Sequence, residues 1–164
     1  MELWLLRHAV AEDRAASGRD EDRELTPEGV KRARAVARGL AALEPKIKLV
    51  IASPYRRARQ TAEPAVEALG VSRKLRESRA LEPDRDPEEI LAEVAAEDAE
   101  AVLLVGHMPH LGALLGHLVT GSGIEIPMKK ASVARVALES RGRGALRALL
   151  PAGVLEDLGR AGIR

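Results

Sequence analysis

Short runs of continuous apolar residues alternate along this chain with stretches whose apolar positions recur every three to four residues. Leu3-Trp4-Leu5-Leu6, Ile47 to Ala52 and Ala101 to Val105 are runs of the first kind. Continuous apolar runs suit parallel strands, because helices bury both of their faces. A polar, glycine-containing loop follows the first run to about Glu24. Thr26-Pro27-Glu28 then predicts a helix start, with Thr as cap, Pro in the first helical position and an acid in the first turn. Val30, Ala33, Ala37 and Leu40 give that helix one apolar stripe, while Lys31, Arg32, Arg34 and Arg38 coat its other faces.

Ser53-Pro54 repeats the cap-plus-proline signal and predicts a helix to about Leu69, ended by Gly70 and kinked or broken at Pro64. A weak edge strand is expected at Lys74 to Arg76. Asp86-Pro87-Glu88 caps a third helix, with Ile90, Leu91, Val94 and Ala95 on one side. A short helix is expected near Pro109 to Val119. Two last strands, Ser132 to Leu138 and Ala145 to Leu150, flank the turn Arg141-Gly142-Arg143-Gly144. The alternation of strands and helices predicts an α/β fold: a three-layer α/β/α sandwich with a mostly parallel central sheet and no large cap. With no repeat, low-complexity tract or linker, residues 1–164 read as one domain.

Composition narrows the function. The 164 residues include 26 Lys and Arg against 25 Asp and Glu, a net charge of +1, which together with only two aromatics, Trp4 and Tyr55, argues against nucleic-acid binding. No apolar run reaches the ~18 residues of a membrane span, and Met1 to Leu6 is too short for a signal peptide, so a cytoplasmic protein with no membrane partner, acting as a monomer, is expected. The lack of cysteine removes disulfides, thiolate metal sites and thiol nucleophiles. There is no Asn and a single Gln, Gln60, a bias shared by thermophiles and GC-rich genomes. Nine acids and one base, Arg85, lie between Glu82 and Glu100, whereas Arg56, Arg57 and Arg59 cluster after the second strand. A polarised molecule with its pocket on the basic side is expected.

In open α/β sheets, ligands bind at the carboxyl ends of the strands. Arg7-His8 follows the first strand, Ser53 to Arg57 the second, and His107 the third. Guanidinium forks match phosphate oxygens two at a time. Their charge keeps a neighbouring imidazole neutral, so that a ring nitrogen can attack phosphorus and form a phosphohistidine. The phosphoryl group in flight needs its oxygens neutralised, by arginines and a second imidazole where there is no metal. His107 and His110 are three apart but lack the acid of a zinc motif, so neither a metal nor a cofactor is expected. His117 reads as a helix-face residue. Arg56 and Arg59 stay open between solvated charges and rim contacts, and Lys129 to Arg147 reads as strand surface from which Lys129 or Lys130 could meet a partner.

Four segments resemble the histidine phosphatase superfamily, relatives of phosphoglycerate mutase. Leu5-Leu6-Arg7-His8-Ala9 is similar to its Arg-His-Gly/Ala signature. Asp22 to Gly29 resembles its Arg-x-Leu-Thr-x-x-Gly element, Ser53 to Ala62 its Ser-Pro-x-x-Arg-Ala-x-Gln-Thr segment, and Val105 to Pro109 its late His element. The resemblance implies a phosphoglycerate mutase-like fold in which His8 is the nucleophile and Arg7, Arg57 and His107 bind and neutralise the phosphoryl group. Arg57 is preferred to Arg56 because it directly precedes Ala58. Arg23 aligns with an arginine that adds a contact at the rim, and Glu82 is the one candidate for a general acid. The short chain and Ala9 in place of Gly resemble the SixA-type branch, the phosphohistidine phosphatases, which implies a phosphohistidine on a signalling protein as substrate. A small-molecule phosphatase acting on a sugar phosphate or nucleotide, and a phosphate-recognising module without turnover, are the alternatives.

Overall fold

The computed structural model describes residues 1–43, 45–71, 75–139 and 142–162. A six-stranded sheet at its centre has the order β3-β2-β4-β1-β5-β6, with β1 at Glu2–Arg7, β2 at Ile47–Ala52, β3 at Leu75–Glu77, β4 at Ala101–Gly106, β5 at Val133–Leu138 and β6 at Gly144–Leu150. β3, β2, β4 and β1 run parallel; β5 is antiparallel to both of its neighbours. Only β5 is therefore reversed, and the sheet is mostly parallel as the apolar runs predicted.

Strand alternation sends side chains to two cores. On one face Trp4, Leu6, Val50, Leu103 and Val105 pack with Ala33, Val36, Ala37 and Leu40 of α1 (Pro27–Ala42), Ala58, Ala62 and Ala65 of α2 (Arg56–Ala68), and Leu155 of α5 (Ala152–Ala161). On the other, Leu3, Leu5, Val102 and Leu104 pack with Ile90 and Val94 of α3 (Pro87–Ala95) and with Leu111, Leu114 and Leu118 of α4 (His110–Thr120). These are the three layers.

Two of the caps sit where the sequence placed them: Thr26 Oγ1 accepts from Gly29 N at 3.0 Å, and Asp86 Oδ1 from Glu88 N at 2.9 Å. The second strand-to-helix junction differs. α2 begins at Arg56 rather than Pro54: the Ser53 hydroxyl lies 2.8 Å from His107 Nε2 and accepts from Tyr55 N at 3.3 Å, and no side chain caps the helix. Nor does Pro64 break α2, which runs on to Ala68. Proline removes one amide donor, and the buried face of Ala58, Ala62, Ala65 and Val66 holds the helix across that gap. The edge strand β3 starts at Leu75; Lys74 lies outside the described residues, as does Arg141 of the last turn. α5 was not foreseen. It docks on α1 at Gly39, where a Cβ would stand 1.8 Å from the Leu155 carbonyl oxygen, so only glycine admits this approach.

Candidate active site

The register of the sheet sets the site. Arg7 pairs with Gly106 across β1 and β4, and Ala52 with Val105 across β2 and β4. Three adjacent parallel strands thus end level, and the residues that follow them, His8, Ser53 and His107, converge. The His8 and His107 rings lie 5.1 Å apart between centroids. Both are buried, at 6% and 1% exposure.

His8 Nδ1 lies 2.7 Å from the Ala9 carbonyl oxygen. A carbonyl only accepts, so Nδ1 carries the proton and the lone pair of neutral His8 is on Nε2. Burial is the main cause that pushes the His8 pKa down to about 4; the Ala9 bond opposes it, and the positive charges of Arg57, Arg7 and Lys130 add to it. The His107 ring falls to about 2, again chiefly through burial, then through His8 and Arg57. Two neutral imidazoles therefore stand side by side at pH 7.

Arg57, 4% exposed, lies in the first turn of α2 and turns inward. It donates from Nη1 to the Asp20 backbone oxygen at 2.7 Å and from Nη2 to Asp20 Oδ2 at 3.0 Å. Asp20 also accepts from Arg23 Nη1 at 2.8 Å, which puts Arg23 one carboxylate away from Arg57. Burial raises the Asp20 pKa, but the hydrogen bonds from Arg23 and Arg57 outweigh it and hold the carboxyl below its ordinary value. Arg56 instead points out to Glu24, and Arg59 to Glu77. Arg7 Nη1 donates to the Met128 carbonyl at 2.6 Å.

Several positioning contacts had no sequence signal beyond their place inside a motif. His107 Nε2 lies 2.8 Å from Ser53 Oγ. Thr61 Oγ1 accepts from Ala9 N at 3.1 Å and donates to the Arg57 carbonyl at 2.7 Å, tying the loop after His8 to α2. Gln60 Oε1 accepts from Leu25 N at 2.7 Å and fixes the approach to α1. Tyr55 stands between His107, 5.1 Å from ring to ring, and Arg57, whose Cζ is 5.0 Å from its centroid.

Three nitrogens of this group, Arg7 Nε, Arg57 Nε and His107 Nδ1, are buried and without a hydrogen-bond partner among the described residues. Buried polar atoms are seldom left so; of the six among the described residues these three sit on residues around His8, and the others are Trp4 Nε1 and the two ring nitrogens of His110. Beside them opens a cavity of about 500 Å³ lined by Glu21, Pro54, Tyr55, Glu77, Arg79 and Glu82. The mouth is thus not simply basic, as the charge distribution along the chain had suggested: acids occupy its Tyr55 side. Glu82 lies there, bonded to Arg79 Nε at 3.0 Å. His110 is buried at the start of α4 and His117 is partly exposed further along it. Among the described residues no three His, Asp or Glu side chains gather as a metal site, and no helix is long and apolar enough to cross a membrane.

Known proteins share this architecture. The family model of the histidine phosphatase superfamily (branch 1) matches residues 3–82. An uncharacterized protein of Picosynechococcus sp. is 38% identical over 139 residues, covering 81% of this chain and 82% of the relative. Phosphohistidine phosphatase SixA of Escherichia coli (strain K12) is 31% identical over 149 residues, covering 88% and 89%. A solved structure of the protein histidine phosphatase SixA complexed with tungstate superposes with a TM-score of 0.86 at 28% identity, over 94% of this chain and 99% of that one. The chain belongs to the histidine phosphatase superfamily, in its SixA-type group.

Proposed function

We propose that this phosphatase passes the phosphoryl group through His8 without a metal, and that its substrate is a phosphohistidine carried by a signalling polypeptide. In this reading residues 1–164 form one histidine phosphatase domain. The observation that carries it is the set of unpartnered nitrogens on Arg7, Arg57 and His107 around an imidazole whose Nε2 is the unprotonated nitrogen. Arg7 and Arg57 carry N–H donors a phosphoryl group needs, and His107 Nδ1 donates in the tautomer whose Nε2 accepts from the Ser53 hydroxyl. The solved SixA structure is complexed with tungstate, a tetrahedral oxyanion like phosphate, which agrees with such a cradle.

In the first step His8 Nε2 attacks phosphorus. The new P–N bond forms as the bond to the leaving group breaks, and the leaving nitrogen or oxygen takes up a proton. The Ala9 carbonyl, accepting from Nδ1, stabilises the positive charge that grows on the ring. Arg7 and Arg57 neutralise the equatorial oxygens in place of a metal, and the neutral His107 ring adds a hydrogen bond to them. Arg23 steadies Arg57 through their shared Asp20. In the second step water attacks phosphorus, inorganic phosphate leaves, and His8 is regenerated. Glu82, in the cavity beside Tyr55, is the acid available to protonate a leaving group. A phosphorus–nitrogen bond breaks more readily than an ester, so it depends less on such an acid.

The carboxylates of that cavity, and the lack among the described residues of a large insertion over the site, favour a protruding side chain whose leaving group is protonated over a nucleotide or sugar phosphate. Phosphate release from a panel holding a phosphohistidine-bearing domain, sugar phosphates and nucleotides, with and without a chelator, tests this. Turnover is expected on the phosphoprotein and insensitive to chelation. Preference for a metabolite would move the substrate to small molecules. Binding without turnover would make the chain a recognition module, and rescue by a divalent ion would overturn the metal-free chemistry.

A further inference from the structure

Residues 128–132 form a strap around the end of β1. Arg7 Nη1 donates to the Met128 carbonyl at 2.6 Å. The Ala131 N–H donates to the Arg7 carbonyl at 3.1 Å and to that of His8 at 3.2 Å, and the Ser132 carbonyl accepts from Arg7 N at 3.2 Å. Within the strap, Ser132 donates to the Lys129 carbonyl from its N–H at 3.0 Å and from its hydroxyl at 2.6 Å. Met128 and Ala131 are buried, and Ala131 has φ +59°, in the left-handed region. That region costs a residue with a Cβ about 1–2 kcal/mol, so the strap is held in shape by its bonds to Arg7 and His8.

Lys130 lies inside this strap, directly before the residue bonded to both carbonyls. It is exposed and makes no ion pair among the described residues. Arg7 likewise makes none, but its Nη1 is held by the Met128 carbonyl. The other arginines around the site are paired: Arg57 and Arg23 share Asp20, Arg56 meets Glu24, Arg59 meets Glu77 and Arg79 meets Glu82. Lys130 is thus an exposed cation without an ion pair, one residue before the N–H bonded to the His8 carbonyl, and its charge is among those that lower the His8 pKa. The carboxylates of Glu21, Glu77 and Glu82 line the cavity on the Tyr55 side.

We propose that Lys130 is a further substrate-binding residue, whose ammonium draws the non-bridging oxygens of the incoming phosphoryl group towards His8. This rests on the reading of His8 as the phosphoryl acceptor. An ammonium on a flexible stem can follow the oxyanion as it enters, where the arginine forks hold fixed directions. Being exposed, its pull is screened by salt, so it acts on capture rather than on the chemical step.

The test is calorimetric titration of the full chain with inorganic phosphate at low ionic strength and at about 0.5 M salt, alongside kcat and KM. Lys130→Ala is expected to weaken phosphate binding about fivefold at low salt, the scale of an exposed ion pair. The difference should shrink at high salt, and kcat/KM should fall in parallel with kcat unchanged. Lys130→Arg should retain most of the affinity, and Lys129→Ala, which removes the same charge one residue away, should bind like the wild type. Equal affinity of Lys130→Ala and wild type at low salt overturns the assignment. So does an equal loss in Lys129→Ala, which would mean a general field and no contact. If the wild type itself fails to bind phosphate, the reading of the whole site falls and not this residue alone.

Discussion

Ser53 Oγ lies 2.8 Å from His107 Nε2 where the ends of β2 and β4 meet. Both residues are buried, Ser53 completely, and among the described residues the hydroxyl is the one hydrogen-bond partner of an imidazole whose other nitrogen has none. Ser53→Ala would leave that ring nitrogen unpaired as well, at a cost of about 1–3 kcal/mol. A catalytic group loosened in this way loses up to about a hundredfold in rate. Steady-state kinetics should show kcat reduced and KM little changed. A variant with wild-type kcat would remove Ser53 from the positioning of His107.

Arg57 and Arg56 are neighbours with different fates, one buried against Asp20 and the other exposed on Glu24. Arg57→Ala is expected to cost about 2–4 kcal/mol of transition-state stabilisation, roughly 30- to 1,000-fold in kcat/KM, by the scale of a lost oxyanion donor. Arg56→Ala should stay within about twofold, since an exposed pair contributes little. An effect under tenfold for Arg57→Ala would shift the role to Arg56.

The two site histidines make the fold sensitive to acid. Their rings titrate at about 4 and about 2 in the folded chain, against an ordinary value of 6.5. The unfolded chain therefore takes up these protons first as pH falls. Stability from this source is complete above about pH 6.5 and declines below it, at about 1.4 kcal/mol per pH unit for each ring while the folded ring stays neutral. Urea unfolding at pH 7, 5.5 and 4.5 should show this decline, smaller in His107→Gln. An NMR titration should find the His8 ring neutral at pH 5.5. A ring titrating near 6.5 would contradict the site electrostatics.

Gly39 is a test of the unforeseen helix. In a helix interior, alanine normally gains about 1 kcal/mol over glycine. Here its Cβ would stand 1.8 Å from a backbone oxygen of Leu155, so α5 would have to shift. Gly39→Ala should destabilise the protein by about 1–3 kcal/mol, read as a lower urea midpoint, with kcat at 25 °C within twofold. A gain in stability would mean that α5 does not seat as described.

The strands and most helices were legible because their signals are local: continuous apolar runs for β1, β2 and β4, and Thr26-Pro27 and Asp86-Pro87 for the starts of α1 and α3. The convergence of residues 8, 57 and 107 was read from their places at the carboxyl ends of three strands and from the motifs. What escaped were contacts between distant segments. Ser53 carries a cap signature, yet its hydroxyl is used by a residue from another strand. Pro64 looked like a breaker, but packing of α2 outweighs one missing donor. The acids near the mouth, Glu21, Glu77 and Glu82, come from separate segments, Glu77 from the end of β3, so counting charges along the chain did not show that they gather there.

The most direct measurement of the central claim is to quench turnover of a labelled phosphosubstrate in base and map the label by mass spectrometry. The account predicts a phosphoryl group on His8, stable to base and lost in acid, and neither label nor turnover in a folded His8→Ala variant. Label on another residue, or full turnover without His8, would contradict it.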